Sequence, residues 1–235
     1  MDFKKIVKKI EKALKEKIKG KAIIGLSGGV DSAVTAYLTV RALGKEKVKA
    51  LLMPYSNQLI EDAENIAKIL GIEYKIINIK PIVDSFEEIC STNNQIAKGN
   101  LKARIRMCLL YLESNLSNGI VLGTTNKSEY EIGYFTKYGD GAADIEVLAD
   151  IYKTEVGELA KYLNLPKSII KKVPSAELWQ GQTDENEIGM PYSILDAILR
   201  EKNSAEIPKK SVKRVKQLIE NSKHKRKLPE IIRVR

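Results

Sequence analysis

The feature that most constrains this chain is an apolar, strand-like segment that runs through a glycine turn directly into a helix-like segment. Residues 22–26 form a short apolar run typical of a buried strand, and residues 33–40 place apolar side chains at helical spacing. Ser27-Gly28-Gly29-Val30-Asp31-Ser32 lies between them. The first amides of a helix have no partner within it, and the helix dipole favours negative charge there. The turn therefore predicts an anion site.

The composition of this turn favours a phosphate bound together with a cation. Gly28 and Gly29 let phosphate oxygens approach the backbone, and Ser27 and Ser32 add hydroxyl donors. Asp31 places a carboxylate beside the expected phosphate, which is favourable mainly when a cation lies between the two. The turn matches neither G-x-x-x-x-G-K-[ST] nor G-x-G-x-x-G. An ordinary glycine turn between a strand and a helix is the alternative interpretation.

Strand-like and helix-like segments alternate in the first half of the chain. The apolar periodicity predicts strands over 22–26, 47–53, 74–79 and 119–122, and helices over 3–19, 59–70, 81–89 and 100–116. Such alternation predicts a doubly wound α/β fold, which is a parallel sheet with helices on both faces and right-handed crossovers. Ligands of these sheets bind at the carboxyl ends of the strands, where strand order reverses. We therefore expect the loops after the first and fourth strands to face each other.

The second half of the chain combines predicted helices with two irregular stretches. Residues 123–150 are polar, rich in glycine and aromatic side chains, and too long for a simple connection, so we expect a binding loop there. A second irregular stretch covers 174–191. Further helices are predicted over 153–163, 192–202 and 208–222. With no internal repeat, the 235 residues predict a single domain, 1–235.

The formal net charge of +10 has two interpretations. Lysine and arginine concentrate in residues 4–21 and again in residues 209–235. They fit solvated lysines on helix faces, and they also fit a positive field that attracts nucleotides or nucleic acid. We favour solvated lysines, with attraction of nucleotides second, and we expect no nucleic-acid partner.

The sequence also favours a cytoplasmic protein without a membrane partner. No stretch reaches the length of an apolar membrane span, and the lysine-rich N-terminus does not resemble a signal peptide. Cys90 and Cys108 are the only cysteines, and their separation of 18 positions fits no metal or redox pair. We therefore expect both to be buried thiols in a reducing cytoplasm.

A second polar loop, at residues 123–129, follows the fourth predicted strand. In the doubly wound layout this loop faces Asp31, so that Glu129 is a candidate for a second hard oxygen ligand. Two carboxylates, phosphate oxygens and water suit octahedral Mg²⁺. Taken alone, the loop fits an ordinary surface turn equally well.

Seven segments together resemble the NAD synthetase family. They are SGGVDS at 27–32, GNLKARIRM at 99–107, GTTNKSE at 123–129, FTKYGDGAAD at 135–144, the lysine of IYKTEV at 151–156, PSAEL at 174–178, and the pair His224-Lys225. The similarity extends from residue 22 to at least residue 225. The glycine loop also resembles that of the ATP pyrophosphatase superfamily, which cleaves ATP between its α- and β-phosphates. The resemblance implies the α/β fold of adenine nucleotide alpha hydrolases.

The resemblance implies amidation of nicotinic acid adenine dinucleotide to NAD, with ATP as co-substrate. ATP adenylates the nicotinate carboxylate, pyrophosphate is released, and ammonia then displaces AMP. The implied ATP contacts are Gly25, Leu26, Ser27, Gly28, Gly29, Val30, Asp31, Ser32, Thr124, Lys153 and Ser175. The implied Mg²⁺ ligands are Asp31 and Glu129. The implied dinucleotide contacts are Arg104, Lys137, Asp144, His224 and Lys225. Lys153 is also the candidate catalytic residue, because its charge can stabilise the α-phosphate and the leaving pyrophosphate. Arg106 is the alternative to Arg104.

Other families share the glycine loop but differ elsewhere. Synthetases that thiolate tRNA usually pair the loop with cysteines for sulfur transfer, and the spacing of Cys90 and Cys108 does not match. The guanine-nucleotide amidotransferase and glutamine-dependent NAD synthetases carry an additional domain, for which we expect no room within 1–235. The resemblance therefore implies that ammonia is free or delivered by another protein. It also implies a homodimer.

Overall fold

The computed structural model describes residues 1–56, 58, 60–179, 181–201 and 207–234, and its centre is a sheet of five parallel strands. The strands are β1 (Lys21–Gly25), β2 (Val48–Leu52), β3 (Glu73–Ile76), β4 (Gly119–Gly123) and β5 (Ile145–Glu146). Their order is β3-β2-β1-β4-β5, and each neighbouring pair is parallel. The order reverses between β1 and β4, where Ala22 lies opposite Ile120. The predicted doubly wound α/β fold is confirmed.

Helices cover both faces of this sheet. They are α1 (Phe3–Lys17), α2 (Val30–Leu43), α3 (Glu61–Leu70), α4 (Lys80–Ile89), α5 (Gln95–Ser117), α6 (Lys127–Ile132), α7 (Lys153–Tyr162), α8 (Lys167–Lys171), α9 (Asp184–Ile188), α10 (Tyr192–Leu199) and α11 (Lys209–Ser222). Residues from α1, α2, α3, α7 and α8 pack on one face, and residues from α4 and α5 pack on the other. None of the helices in the described ranges is long and apolar enough to cross a membrane.

The strands are apolar on both faces because both are covered. Along β2, Ala50 and Leu52 join the core beneath α1 and α2, whereas Leu51 joins the core beneath α4 and α5. In β1, Ile23 and Ile24 are fully buried. A strand buried on both sides gains from a continuous apolar run, which is the pattern that the sequence shows at residues 22–26.

A separate helical layer packs at one end of the sheet. Its apolar centre is formed by α6, α9, α10 and α11, with the buried residues Ile132, Ile188, Met190, Tyr192, Leu195 and Val215. Helix α10 contacts α6, α7 and α11. This layer therefore joins the C-terminal helices to the two elements that follow β4 and β5.

The structure differs from the predicted elements in several places, among them the unpredicted helix α8 and the end of β3 at Ile76 rather than at residue 79. Helix α5 begins at Gln95 rather than at residue 100, because the Asn94 side chain accepts a hydrogen bond from Ala97 N over 3.0 Å and caps it. The predicted irregular stretch 123–150 contains α6 and β5, and the predicted irregular stretch 174–191 contains α9. Two predicted helix limits, Leu59 and Lys202, lie outside the described residues.

The prediction that both cysteines are buried is wrong. Cys90 and Cys108 are free and exposed. Cys90 follows the last residue of α4, and Cys108 lies on the outer side of α5, where Leu112 and Leu116 are also exposed. Helix α5 carries apolar residues around much of its circumference, so its sequence pattern does not identify the buried side.

Candidate active site

A cavity of about 440 Å³ lies at the carboxyl ends of β1, β2 and β4. Its walls come from the glycine loop after β1, the first turn of α3, the inner side of α5, the loop after β4, and residues 172–179. Asn126, in the loop after β4, donates from Nδ2 to Asp31 Oδ1 over 3.0 Å. The expectation that the loops after the first and fourth strands face each other is therefore confirmed.

The glycine loop is held in a tight turn that leaves backbone amides available to a ligand. Gly28 has a φ of +79°, and a Cβ atom there would lie 2.9 Å from Asp62 Cβ and 3.0 Å from Ala63 N. Ser32 Oγ donates to Gly29 O over 3.0 Å, which closes the turn. Because Gly29 is the N-cap of α2 and has no side chain, no local acceptor satisfies the first amides of that helix. These amides face the cavity side of the sheet and suit an anion.

A buried ammonium group lies between the two predicted carboxylates. Lys153 Nζ is 2.5 Å from Asp31 Oδ2 and 3.4 Å from Glu129 Oε1, and the Lys153 side chain is only 8% exposed. Burial opposes the charge on Lys153, but the two carboxylates outweigh it and raise the lysine pKa above its ordinary value. Lys153 is the first residue of α7, so the start of that helix sets the position of the ammonium group.

Glu129 is held by backbone and side-chain donors at the start of α6. Its Oε2 accepts from Asn126 N over 3.2 Å, and its Oε1 accepts from Tyr192 Oη over 3.3 Å. Burial raises the pKa of Glu129 to about 8; Lys153 opposes this rise, and the neighbouring acidic groups add to it. An added positive charge at this position would favour the ionised carboxylate.

The sequence did not identify a third carboxylate in this cluster. Asp184, at the start of α9, accepts from Tyr134 Oη over 3.2 Å and lies 3.1 Å from Tyr192 Oη, whose one proton it shares with Glu129. Burial raises the pKa of Asp184. The residue lies in a stretch whose pattern predicted only irregular structure, so no local signal marked it. The contacts depend on packing between α6, α9 and α10.

The charge of this cluster fits a divalent cation. Three carboxylates, Asp31, Glu129 and Asp184, surround one ammonium group, so the fully ionised cluster carries a net charge of −2. Carboxylate oxygens are the hard ligands that Mg²⁺ prefers. Among the described residues, no three His, Cys, Asp or Glu side chains form a preformed metal site. A cation held by Asp31 and Glu129 would therefore take its other ligands from phosphate and water.

The structure brings most of the sequence-predicted site residues to the cavity. Those that line it are Gly25, Leu26, Ser27, Gly29, Val30, Asp31, Ser32, Thr124, Glu129, Lys153, Ser175 and Lys225. Those that do not line it are Gly28, Arg104, Lys137, Asp144 and His224. Gly28 lies behind the loop against α3. The other four belong to the predicted dinucleotide contacts.

The predicted dinucleotide contacts outside the cavity make other interactions. Arg104 is exposed and donates to Lys137 O over 3.3 Å. Asp144 accepts from Val121 N over 2.7 Å at the edge of β4. His224 is exposed in the short 3₁₀ turn Lys223–Arg226. Lys225 Nζ, by contrast, lies at the cavity and donates to two backbone carbonyls of residues 133 and 135.

The two candidate arginines of α5 point in different directions. Arg106 lines the cavity, and its Nε donates to Met53 O over 3.0 Å. Burial lowers the pKa of Arg106 to about 10, which still leaves a full charge at neutral pH. Arg104 lies outside. The cavity therefore offers the Arg106 guanidinium to an anionic ligand, in addition to the Lys153 ammonium.

The geometry suits displacement at a phosphate. Free helix amides and a buried lysine can hold phosphate oxygens, and they can stabilise the negative charge that develops on them in the transition state. The carboxylates beside the lysine can hold a cation between themselves and the same oxygens. Lys153, Asp31 and Glu129 come from three segments of the chain, and the sheet edge aligns them.

Comparisons with known proteins find NAD synthetases and an NMN synthetase. A family model described as NAD synthase matches residues 2–229. The NH(3)-dependent NAD(+) synthetase of Pyrococcus horikoshii is 49% identical, covering 97% of this chain and 94% of the relative. The structure of an NH3-dependent NAD synthetase from Campylobacter jejuni superposes with a TM-score of 0.85 at 38% identity, covering 99% of this chain and 100% of that chain. NMN synthetase from Francisella tularensis superposes with a TM-score of 0.91 at 40% identity, covering 99% of each chain.

Proposed function

This chain belongs to the NAD synthase family, and from that premise we propose that its cavity binds ATP beside the carboxylate to be amidated. The protein catalyses the ATP-dependent amidation of nicotinic acid adenine dinucleotide to NAD with ammonia, through an adenylated intermediate. It is thus a ligase of NAD biosynthesis. The observation that carries the proposed location is the buried Lys153 ammonium group, held between Asp31 and Glu129 beside the glycine loop.

The residues of the cavity have distinct tasks in this reaction. A carboxylate is a poor nucleophile toward an anionic phosphate, so the site must neutralise charge and align both reactants. The loop of Gly25 to Ser32 binds the ATP phosphates through the free amides of α2, and Thr124 and Ser175 line the same cavity. Lys153 stabilises charge on the α-phosphate while the bond to pyrophosphate breaks. Ammonia then attacks the adenylated carbonyl carbon, loses a proton, and AMP leaves.

We propose Mg²⁺ as the cation of this site, held by Asp31 and Glu129. Support comes from the hard oxygen ligands and from the net charge of the ionised cluster, with Asp184 adjacent. When bound, Mg²⁺ supplies positive charge to the phosphate oxygens. Lys153 contacts the same two carboxylates and offsets the repulsion between them.

The first prediction concerns the products. Purified protein incubated with ATP, Mg²⁺, ammonium and nicotinic acid adenine dinucleotide should form NAD, AMP and pyrophosphate in equal amounts. The reason is that attack of the substrate carboxylate on the α-phosphate of ATP forms the adenylate and releases pyrophosphate. Chromatography of the nucleotides measures all three products. Formation of ADP and inorganic phosphate would contradict the adenylation step.

The likeness to an NMN synthetase makes a mononucleotide the second candidate substrate. Nicotinic acid mononucleotide carries the same nicotinate carboxylate, so the chemistry at Lys153 would be unchanged. The same assay, run with each substrate in turn, compares the two values of kcat/KM. A higher value for the dinucleotide supports NAD synthesis, and a higher value for the mononucleotide would reassign the substrate while keeping the reaction type.

We also propose that the protein is a homodimer formed through the outer side of α5. Arg104, Cys108, Leu112 and Leu116 are exposed there at spacings of four residues, and Leu112 and Leu116 are 54% and 74% exposed. Cys108, Leu112 and Leu116 form an apolar stripe with Arg104 at one end, and an exposed apolar stripe is typical of an interface. Arg104 and the predicted contacts Lys137 and Asp144 lie outside the cavity. In a dimer formed through this surface, the second copy would cover them.

The second prediction tests this dimer. Leu112→Arg should convert a dimer into a monomer, because a charge would be buried at the centre of the apolar stripe. Multi-angle light scattering measures the mass in solution. The matched control is Ile69→Arg on α3, a position that is similarly exposed but lies on another surface. A monomeric wild-type protein, or a dimer that survives Leu112→Arg, would contradict the proposal.

We propose a cytoplasmic location. Free, exposed thiols such as Cys90 and Cys108 persist in a reducing compartment, and the co-substrate ATP is abundant there. Cell fractionation followed by immunodetection would test this location.

A further inference from the structure

A buried carboxylate on α10 contacts both elements that carry the central ion pair. Asp196 is 2% exposed. Its Oδ1 accepts from Ser128 Oγ over 2.5 Å, and its Oδ2 accepts from Thr154 N over 2.9 Å and from Thr154 Oγ1 over 2.6 Å. Asp196 therefore links the start of α6 to the start of α7. It does not line the cavity.

The start of α7 depends on these contacts because its local cap serves the N-cap amide alone: Glu155 Oε2 accepts from Tyr152 N over 3.0 Å, and the first amides within the helix need other acceptors. Its N-cap is Tyr152, whose bulky phenol is not a residue that normally caps a helix. The amide of Lys153 instead donates to Ser128 Oγ over 2.9 Å, and the next amide donates to Asp196. Two orphan helix donors are thus satisfied from other elements. A carboxylate at a helix N-terminus is also favoured by the helix dipole.

Each contact lies one residue from a side chain of the proposed reaction centre. Ser128 precedes Glu129 in the chain, and Thr154 follows Lys153. The ammonium of Lys153 lies 3.4 Å from Glu129 Oε1. A rotation or shift of the first turn of α7 would change that distance directly. Asp196 thus fixes the backbone on both sides of the ion pair without touching either charged group.

We propose that Asp196 is a positioning residue, which sets the place of the Lys153 ammonium group relative to Glu129 by holding the starts of α6 and α7 together. This inference rests on the proposed function of Lys153 in adenylation. The apolar packing of α10 does not by itself require an aspartate at this position. Leu195, the neighbouring residue, already anchors α10 in the apolar cluster.

The third prediction follows from this role. Asp196→Ala should lower kcat by about 10²-fold, since a small misplacement of a reacting group has a cost of this order. The KM for ATP should change little, because the affected contact strengthens mainly in the transition state. Asp196→Asn keeps an oxygen acceptor for Thr154 and should stay within about threefold of wild-type kcat. Steady-state kinetics per folded molecule, with folding checked by circular dichroism, measures these values.

The matched control is Ser114→Ala, which removes another buried hydrogen bond, from Ser114 Oγ to Gly119 O, away from the cavity. It should keep the wild-type kcat. If Asp196→Ala does not fold, Ser128→Ala decides the matter: it removes one of the two links and should lower kcat about tenfold.

The proposal is overturned if Asp196→Ala, or Ser128→Ala in its place, keeps the wild-type kcat per folded molecule. It is also overturned if Asp196→Ala raises the KM for ATP in proportion to any loss, because that pattern indicates damage to ground-state binding. Failure of the proposed function is distinguishable, since the wild-type protein would then form no NAD. In that case, calorimetric titration should still give the same ATP affinity for the wild-type protein and Asp196→Ala, and a weaker affinity in Asp196→Ala would count against the positioning role.

Discussion

Replacing Lys153 by methionine is expected to lower kcat by about 10²- to 10³-fold, the scale seen when one preorganised donor to a developing negative charge is removed. Methionine matches the length of the lysine stem but carries no charge. The loss should appear in kcat and kcat/KM to a similar extent, because the ammonium group acts mainly on charge that develops in the transition state. Steady-state assay of AMP formation at saturating substrates measures the effect.

The control for this variant is Lys127→Met. Lys127 lies in the same region and forms an ion pair with Asp150 over 2.8 Å, but it does not line the cavity. Exposed ion pairs contribute little to stability, so this variant should remain active. Lys153→Met also leaves Asp31 and Glu129 without their shared cation, and circular dichroism must show that the fold is retained. An activity of Lys153→Met within tenfold of wild type would show that Lys153 has no direct part in the reaction. An equal loss of activity in Lys127→Met would show that the effect is not specific to Lys153.

The sequence predicts the parts of the site that depend on local pattern. The apolar run of residues 22–26, the glycine turn and the helix that follows are local signals, and the structure has β1, the loop and α2 at those positions. Alternation of strands and helices then implies the sheet edge at which Asp31 and Asn126 meet. Each of these steps uses only neighbouring residues and general rules of α/β folds.

Other parts of the site depend on packing between distant segments. Asp184, Tyr192 and Asp196 reach the centre because α9 and α10 pack against α6 and α7. A polar residue in a helix is equally compatible with solvent and with a buried contact, so pattern alone does not select these three. The same limit applies to α5, where apolar residues lie on several sides. It explains both the wrong prediction for Cys108 and the open choice between Arg104 and Arg106.

The metal assignment leads to the last prediction. Asp31→Asn and Glu129→Gln preserve the shape and most of the hydrogen bonds of these residues, but each removes one negative charge from the proposed cation site. Both variants should lose at least about 10²-fold in kcat/KM, and both should require more Mg²⁺ for half-maximal activity. A binding readout is also available. Mg²⁺ with ATP should raise the Tm of the wild-type protein, because a ligand that binds only the folded state stabilises it.

That rise in Tm should be much smaller in Asp31→Asn and Glu129→Gln, whereas ATP with EDTA should affect all three proteins alike. Asp150→Asn is the control, since Asp150 is an exposed carboxylate outside the cavity, and it should behave as the wild type in both measurements. Asp31 and Glu129 differ in their surroundings: Asp31 lies at the start of α2 beside the expected phosphates, and Glu129 lies beside Tyr192 and Asp184. We therefore expect the larger loss of Mg²⁺–ATP stabilisation in Asp31→Asn. Wild-type activity with an unchanged Mg²⁺ requirement in either variant would show that its carboxylate does not hold the cation.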